Sequence, residues 1–293
     1  MSSVHTFRSA RQRLRSALSP LYGEREATLI ADWVLEADAG KTRAYLRMHP
    51  DEILDDATST RLDIHLDELL RWRPVQYVLG EAWFMGRRFH VDERVLIPRP
   101  ETEELVQWVT ASVTSEFDHP KAAPRILDIG TGSGCIPISL KAALPMAAVW
   151  SLDASEGALE VARANARIMN AEVSYLHADV LDDRCKLLIP QVDIIVSNPP
   201  YVLDTDRAEM RPNVIEWEPH MALFVEGRDP LLFYHRIAAL GLEKLPSGGQ
   251  VFVEIQETQS EAVVRLLQAS GYVDIEARPD LSGRDRMVRA RKA

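Results

Sequence analysis

The stretch that decides the fold is Arg125-Ile126-Leu127-Asp128-Ile129, followed at once by Gly130-Thr131-Gly132-Ser133-Gly134. Its apolar first half predicts a buried strand, and the apolar residues after it predict a helix over 134–144. Glycines between a strand and a helix let the backbone pass close to a ligand, and the helix N-terminus offers free N–H groups. The spacing is G-x-G-x-G and not the G-x-G-x-x-G of dinucleotide enzymes. The stretch therefore predicts a site for a nucleoside-type ligand, with a purely structural turn as the alternative.

Strands and helices continue to alternate from this stretch to the end of the chain. Strands are predicted over residues 125–129, 149–152, 173–176, 192–196, 250–255, 272–277 and 286–290. Further helices are predicted over 155–169, 229–245 and 261–269. Such alternation predicts a mostly parallel sheet that is covered by helices on both faces. Only a short loop joins the last two strands, so the last strand should be antiparallel.

The part of the chain before this α/β region has a different character. Residues 1–73 show only helical patterns, residues 74–97 predict a hairpin linker with its turn at Gly86, and residues 98–293 contain the sheet. Four arginines and no acid precede Glu24, a composition that is also found in organelle transit peptides. An amphipathic first helix and a transit peptide are therefore both compatible with the N-terminus.

Composition narrows the function classes. The chain has 293 residues, of which 46% are hydrophobic, and this excludes a disordered, collagen-like or coiled-coil protein. No apolar run approaches the roughly 18 residues that a membrane-spanning helix needs. The net charge of −10 disfavours stable binding of nucleic acid, which usually requires a basic face. Two cysteines cannot build a disulfide framework, and the scattered histidines indicate no metal site, so we expect a cytoplasmic protein.

Acids after the next two strands complete the predicted ligand site. Asp153 ends the second strand, where its carboxylate can accept hydrogen bonds from both hydroxyls of a ribose. Asp179 and Val180 follow the third strand, where an acceptor and an apolar wall would suit adenine, although a solvated turn fits that position equally well. We expect ligand contacts from Asp128, Gly130, Thr131, Gly132, Gly134, Asp153, Asp179 and Val180.

A second motif, Asn198-Pro199-Pro200-Tyr201, follows the fourth predicted strand. The prolines restrict φ and carry no N–H. The Asn198 side-chain oxygen and the Pro199 carbonyl can therefore both point at one planar NH₂ group, while Tyr201 offers a flat face for stacking. Because the motif lies at the carboxyl edge of the sheet, it predicts a clamp for an amide or an aromatic amine; a proline turn is the alternative.

With these motifs, the chain resembles the PrmC/HemK family of class I S-adenosylmethionine methyltransferases over nearly its whole length. The resemblance rests on Arg43–Leu46 with His49-Pro50, Arg73–Tyr77 with Gly80, Leu96–Glu103, Asp128–Gly134, Asn198–Tyr201, Glu218–Leu223 and Gly227–Asp229. It implies an α/β fold with a Rossmann-like class I methyltransferase sheet and a small all-helical N-terminal domain joined by the hairpin. It also favours the helix over the transit peptide.

The resemblance further implies an activity. A methyl group would pass from S-adenosyl-L-methionine, without a metal, to the side-chain amide nitrogen of the glutamine in the GGQ motif of peptide chain release factors, leaving S-adenosyl-L-homocysteine. Asn198, Pro199 and Tyr201 would be catalytic, and Asn198 would also contact the cofactor. Substrate binding would involve Asn198, Pro199, Pro200, Tyr201, Pro98, Arg99 and Glu101.

Two alternatives from other classes remain. The same clamp suits the exocyclic amine of adenine, so a methyltransferase acting on DNA or RNA would carry it too, after base flipping. A module that only binds S-adenosylmethionine would keep the glycine loop, but it would have no need for an intact Asn198.

Overall fold

The computed structural model describes residues 6–116, 123–225, 227 and 229–293. The helices are α1 (Phe7–Ala39), α2 (Arg43–Met48), α3 (Asp56–Leu69), α4 (Val75–Leu79), α5 (Pro100–Glu116), α6 (Cys135–Ala143), α7 (Glu156–Ile168), α8 (Pro212–Ile215), α9 (His220–Leu223), α10 (Leu232–Lys244) and α11 (Ser260–Ala269). The strands are β1 (Glu81–Phe84), β2 (Arg87–His90), β3 (Arg125–Ile129), β4 (Ala148–Asp153), β5 (Ser174–His177), β6 (Ile194–Ser197), β7 (Gln250–Glu254), β8 (Tyr272–Pro279) and β9 (Asp285–Lys292). Residues 1–5 of the predicted helical domain and Arg228 of the quoted Gly227–Asp229 stretch lie outside the described residues.

Contacts divide the chain into two compact units. The helical unit comprises Met1–Gly80 and Arg211–Trp217, and the sheet unit comprises Glu81–Met210 and Glu218–Ala293. The segment that predicts a hairpin linker, residues 74–97, is therefore not uniform, because its first part forms α4. This short helix starts after Pro74 and ends at Gly80, whose φ of 68° is the left-handed conformation typical of a helix end.

The helical unit has its own apolar core. The hydroxyl of Thr6 accepts a hydrogen bond from the N–H of Ser9 and so caps α1, and Asp55 caps α3 by accepting from Thr58. Gly23, with a φ of 75°, interrupts α1. The fully buried side chains of this core include Leu14, Leu18, Ala27, Ala31, Val34, Leu35 and Leu69. Although α1 is long, no helix in the part of the chain that the structure describes is apolar enough to cross a membrane.

The segment Arg211–Trp217 joins the helical unit through polar contacts. The indole N–H of Trp217 donates to the backbone carbonyl of Arg71 at 3.1 Å, and Arg211 forms an ion pair with Glu26 at 2.9 Å. These partners lie far away in the sequence, so no local pattern predicts that this segment returns to the N-terminal helices.

The predicted hairpin is present in the sheet unit. Strands β1 and β2 pair antiparallel with Phe84 opposite Arg87, so Met85 and Gly86 form a two-residue turn. Both turn residues have positive φ, 50° and 69°, as a tight hairpin of this twist requires. Phe84 and Phe89 are buried in one of the two cores of the sheet unit and meet edge to face.

The main sheet has the strand order β5-β4-β3-β6-β7-β9-β8. All neighbouring strands pair parallel except β9, which is antiparallel to both β7 and β8. The prediction of a mostly parallel sheet with an antiparallel last strand is confirmed. In the central pairs, Ile129 of β3 lies opposite Leu152 of β4 and Ser197 of β6. The loops that follow these three strands therefore begin at one edge of the sheet.

Each face of this sheet carries a separate core. Side chains alternate along β7, so that Phe252 faces one core while Val251 and Val253 face the other. Helices α5 and α6 supply apolar residues to the first core, and α10 and α11 supply them to the second. The sheet is buried on both faces, as its continuous apolar strands predict.

Removal of side-chain volume from the central strand should destabilise the fold. Leu127 of β3 is fully buried, and we expect Leu127→Ala to lower the free energy of unfolding by about 2–5 kcal/mol, because it leaves a cavity in the core. Leu281→Ala is the matched control, since Leu281 is 94% exposed and its loss should change stability by less than about 0.5 kcal/mol. Urea unfolding measures both, and equal effects of the two changes would contradict this account of the core.

Candidate active site

The glycine loop lies between β3 and α6. Gly130, Gly132 and Gly134 all have positive φ, 79°, 52° and 82°, which disfavours other residues at these positions. Gly134 is also sterically required, since a Cβ atom there would lie 2.9 Å from the Cδ1 atom of Ile138 and 3.1 Å from the Cβ atom of Ala162. The turn is therefore held by backbone geometry and by its own N–H groups, since those of Gly130 and Gly134 donate to backbone carbonyls at 2.8 and 2.9 Å.

Asp128 is buried directly beneath this loop. Its Oδ2 atom accepts hydrogen bonds from the hydroxyls of Thr131 and Ser151. Its Oδ1 atom is equally buried and has no hydrogen-bond donor among the described residues. Burial raises the pKa of the Asp128 carboxyl to about 7. The Thr131 hydroxyl is therefore used in a hydrogen bond to Asp128, whereas the Oδ1 atom of Asp128 remains available as an acceptor.

Asp153 ends β4 on the other side of the loop. Its Oδ2 atom accepts from the N–H of Gly132 at 2.9 Å, and its Oδ1 atom accepts from the N–H of Ser155 at 2.8 Å. Burial raises the pKa of this carboxyl, and the backbone hydrogen bonds oppose that shift. Each carboxylate oxygen can accept a second hydrogen bond. Asp153 thus holds the glycine loop in place and still has acceptor capacity for two further hydroxyls.

The segment after β5 borders the same edge. The N–H of Ala178 donates to the carbonyl of Asp153 at 3.1 Å, which fixes the start of this segment. Asp179 is exposed, and one of its carboxylate oxygens accepts from the N–H of Leu181 at 2.8 Å. Val180 is buried, and its side chain belongs to the core on the α10 and α11 face. Asp179 therefore offers a solvent-exposed acceptor beyond the end of β5, whereas the Val180 side chain is part of the core.

The Asn198–Tyr201 motif starts immediately after β6. The hydroxyl of Ser197 donates to the carbonyl of Ile129 at 2.7 Å and so ties the ends of β6 and β3 together. The glycine loop lies close to this motif. A Cβ atom added to Gly130 would lie 3.7 Å from the backbone oxygen of Asn198, which is an ordinary van der Waals contact. The two motifs that the sequence singles out thus form one candidate site.

Within the motif, the side chains differ in exposure. Asn198 and Tyr201 are half-buried, and Pro199 is buried. The Asn198 Nδ2 atom donates to the Oγ1 atom of Thr102 at 3.2 Å. The carbonyl of Tyr201 accepts from the side-chain amide of Gln259 at 3.2 Å. Burial raises the pKa of the Tyr201 phenol, so its ring stays neutral at physiological pH.

The proline-rich stretch before α5 lies near this motif in the sheet unit. Arg99 donates to the Oε1 atom of Glu218 at 2.6 Å, and the backbone N–H of Ile97 donates to its Oε2 atom at 3.3 Å. The Glu218 side chain is buried, whereas 34% of the Arg99 side chain is exposed, so water reaches this ion pair from the arginine side only. Pro98 and Glu101 are half-buried, so part of each residue is accessible to solvent.

Sequence reasoning missed three members of this site: Thr102, Glu218 and Glu254. Thr102 and Glu218 lie inside stretches that carry the family resemblance, and that was the signal available for them. Glu254 ends β7 and accepts a hydrogen bond from the Thr102 hydroxyl at 2.6 Å. An acid at the end of an apolar strand gives no local indication of its partner.

The buried carboxyl of Asp128 should make stability depend on pH. The folded chain holds this proton up to about pH 7, whereas an unfolded aspartate releases it near about pH 4. Between these values the folded state binds more protons, so the free energy of unfolding falls as the pH rises. The stabilising contribution of this proton is complete below about pH 4 and is lost as the pH passes about 7.

We expect Asp128→Asn to make that fall smaller, since the amide does not titrate. Relative to wild type, the variant should gain roughly 1–3 kcal/mol between about pH 5 and about pH 8. Urea unfolding of the ligand-free protein across this range is the measurement, with Asp67→Asn at an exposed site as the control. The same pH slope in wild type and Asp128→Asn would show that this carboxyl titrates normally.

Comparisons with known proteins agree with these features. The PrmC N-terminal domain family matches residues 6–80, and the methyltransferase small domain family matches residues 108–217. The release factor glutamine methyltransferase of Flavobacterium psychrophilum is 39% identical over 279 residues, which cover 95% of this chain and 96% of that protein. This chain belongs to the release factor glutamine methyltransferase family.

A second member of the family, from Bacteroides thetaiotaomicron, is also 39% identical, over 95% of this chain and 98% of its own length. Among solved structures, the catalytic domain of hMettl16 in complex with MAT2A 3'UTR hairpin 6 superimposes with a TM-score of 0.53. It covers 82% of this chain and 84% of that chain at 16% identity, so this likeness concerns the fold alone. The predicted class I methyltransferase fold, the family resemblance and the classification as an enzyme are confirmed.

Among the described residues, no group of three or more His, Cys, Asp or Glu side chains is arranged to hold a metal ion. The site instead consists of a glycine turn, carboxylates with unused acceptor capacity and one amide. Such groups can bind a nucleoside with a charged tail and orient a planar NH₂ group.

Proposed function

We propose that this protein transfers a methyl group from S-adenosyl-L-methionine to the side-chain amide nitrogen of the glutamine in the GGQ motif of peptide chain release factors. The observation that carries the proposal is the position of Asn198 and Pro199, next to the glycine loop, in a chain whose relatives are named for this reaction. A substrate from the translation machinery implies that the enzyme acts in the cytoplasm. The helical unit, which contains none of the site residues above, is assigned to recognition of the protein substrate.

The residues around the glycine loop fit S-adenosylmethionine. The Oδ1 atom of Asp128 has no donor of its own and can accept a hydrogen bond from the ammonium group of the methionine part. The positive charge of that ammonium would favour the ionised form of the Asp128 carboxyl. The side-chain-free surface of Gly130–Gly134 suits the methionine tail, because its backbone can approach a ligand closely. Asp153 suits the ribose hydroxyls, and Asp179 with Val180 suits the adenine. When bound, S-adenosylmethionine supplies a methyl group that is already activated by the sulfonium, so the proposed methyl transfer requires no metal.

The Asn198–Tyr201 motif acts on the glutamine. An amide nitrogen is a poor nucleophile because its lone pair is delocalised into the carbonyl. The side-chain oxygen of Asn198 and the carbonyl oxygen of Pro199 each accept a hydrogen bond from the NH₂ group of the glutamine. These two bonds fix the orientation of the amide, which lowers the entropy cost of reaching the transition state. The same oxygens stabilise the positive charge that develops on the nitrogen as the N–C bond forms and the S–C bond of the sulfonium breaks. The methylated nitrogen then releases one proton to solvent, which leaves the neutral N-methyl amide and S-adenosyl-L-homocysteine. Pro200 restricts the backbone of the motif, and the neutral ring of Tyr201 packs against the amide plane.

The stretch before α5 is assigned to the passage of the substrate. Pro98 and Glu101 are partly open to solvent, and Arg99 is fixed by Glu218. A guanidinium that keeps its position because of a buried carboxylate is well suited to bind a backbone carbonyl of the GGQ loop. In this role Glu218 is a positioning residue for Arg99.

Methylation of adenine in DNA or RNA is less well supported. The clamp alone does not discriminate between a glutamine amide and an adenine amine, since both are planar NH₂ groups. The net charge of −10 and the family of the full chain both favour a protein substrate. Purified release factor, DNA and RNA should therefore be offered in parallel with labelled S-adenosylmethionine, and transfer to nucleic acid alone would overturn the proposal.

Removal of the clamp oxygen should slow the chemical step. We expect Asn198→Ala to lower kcat for release factor by about 10²–10³, the effect of losing one preorganised polar group. The KM for release factor should change little, because most of the binding surface lies elsewhere on the partner. Steady-state methylation provides both constants, and Asn170→Ala, at an exposed turn of the same unit, is the control. A kcat within about threefold of wild type would remove Asn198 from the mechanism.

The ribose assignment predicts a defect in cofactor binding. Asp153→Ala removes two acceptors and loosens the hold on Gly132, so S-adenosylmethionine should bind about 10–100-fold more weakly. Calorimetric titration measures the Kd directly. Asp285→Ala, at the start of β9 and outside the proposed site, should leave it unchanged. Equal affinity of wild type and Asp153→Ala would exclude the ribose contact.

A further inference from the structure

A chain of hydrogen bonds links the clamp to a buried acid. The Asn198 Nδ2 atom donates to the Thr102 Oγ1 atom at 3.2 Å, and the Thr102 hydroxyl donates to the Glu254 Oε2 atom at 2.6 Å. Thr102 is 2% exposed and Glu254 is 1% exposed, so water competes little for these bonds. The two residues come from the first turn of α5 and the end of β7, and neither belongs to the Asn198–Tyr201 motif.

The direction of this chain follows from the donor and acceptor inventory. An ionised carboxylate only accepts, and a hydroxyl has a single hydrogen to donate. Because that hydrogen goes to Glu254, the oxygen of Thr102 can only accept from its other neighbour. It therefore binds the NH₂ end of the Asn198 amide and not the oxygen end. The Oδ1 atom of Asn198 is left for a different partner.

This direction matters because an amide can rotate by half a turn at almost no steric cost. In the reversed orientation, the Asn198 NH₂ group would face the NH₂ group of the glutamine, and two donors would oppose each other. The clamp would then lose an acceptor and gain a repulsive contact. A group that selects one of the two orientations thus controls whether the clamp can act.

We propose that Thr102 and Glu254 are positioning residues that orient the amide of Asn198 so that its oxygen accepts from the substrate NH₂ group. The inference rests on the proposed function, since it takes the clamp as the site of reaction. Thr102 and Glu254 touch neither the glutamine nor the methyl donor in this scheme, and they act only through Asn198.

The orienting effect requires ionised Glu254. When protonated, Glu254 can donate to Thr102, whose own hydrogen is then free to bind the oxygen of Asn198 and reverse the amide. Burial raises the pKa of Glu254 to about 7, which puts this change within an accessible pH range. Some titratable and charged groups shift the pKa of Glu254, and others have their own pKa shifted by its charge. These groups are Arg99, Glu101, Cys135, Tyr201, Tyr234 and Arg286.

Substitution of Thr102 tests the proposal most directly. Thr102→Val keeps the shape and removes the hydroxyl, so the Asn198 NH₂ group and the buried Glu254 carboxylate both lose their partner, and we expect kcat to fall about 10–100-fold. The KM for release factor and the Kd for S-adenosylmethionine should stay within about threefold, and Thr102→Ser should restore most of kcat. Thr110→Val is the matched control, because this hydroxyl lies on the same helix and donates to the carbonyl of Val106. A wild-type kcat for a folded Thr102→Val variant would overturn the inference.

A double-mutant cycle decides whether Thr102 acts through Asn198. In the Asn198→Ala background, Thr102→Val should change kcat by less than about threefold, because no amide remains to be oriented. The same factor in both backgrounds would assign Thr102 a separate role and overturn the inference. If Asn198→Ala itself has the kcat of wild type, it is the proposed function of the clamp that fails, so the two failures are distinguishable.

A second variant keeps the inference testable if Thr102→Val does not fold. The wild-type kcat should fall as the pH drops through the pKa of Glu254 in the loaded enzyme, and Glu254→Gln should remove this acid limb, since glutamine does not titrate. Rates are measured from about pH 5.5 to about pH 8.5, with thermal melts to verify folding at each pH. An acid limb that persists unchanged in Glu254→Gln would show that Glu254 does not control the clamp.

Discussion

The parallel pairing of β3 with both β4 and β6 is the interaction on which the rest of the site depends. Ile129 faces Leu152 on one side and Ser197 on the other, so three strands end at the same level. Each ends in a residue or loop with polar chemistry: the glycine loop, Asp153 and Asn198. Because parallel strands all run in one direction, their carboxyl ends lie at one edge of the sheet, which is where α/β proteins commonly bind ligands.

Two buried acids form hydrogen bonds next to these motifs. Asp128 supports the glycine loop through Thr131 and Ser151, and Glu254 supports the clamp through Thr102. Burial raises the pKa of both carboxyls to about 7, which means that desolvation costs free energy in the ligand-free protein. In the proposed reaction, Asp128 provides an acceptor for the ligand and Glu254 an orientation for Asn198, and apolar residues at these positions could do neither.

The proposed reaction needs a substrate selectivity that the Asn198–Tyr201 clamp alone does not provide. A pair of oxygens that reads a planar NH₂ group does not distinguish a glutamine from an adenine. In the proposed reaction, discrimination is assigned to other surfaces, such as the segment in which Arg99 is held by Glu218. Under this proposal, shape and charge over a larger surface would supply the selectivity, and the clamp would contribute chiefly to the rate.

Sequence alone determined those features whose causes are local. Alternating strand and helix patterns predict the sheet, the Met85-Gly86 turn predicts the hairpin, and the glycines of 130–134 and the prolines after Asn198 predict the two motifs. These signals are reliable because backbone conformation, helix capping and hydrophobic periodicity act over a few residues.

Only the tertiary structure decided which polar groups became partners. Thr102 and Glu254 are 152 residues apart, and Arg99 and Glu218 are 119 residues apart. The return of Arg211–Trp217 to the helical unit is another feature of this kind. A sequence shows that an acid or a hydroxyl is present, but the partner it bonds is chosen by packing, because a buried polar group must find a hydrogen bond among whatever the fold brings within reach.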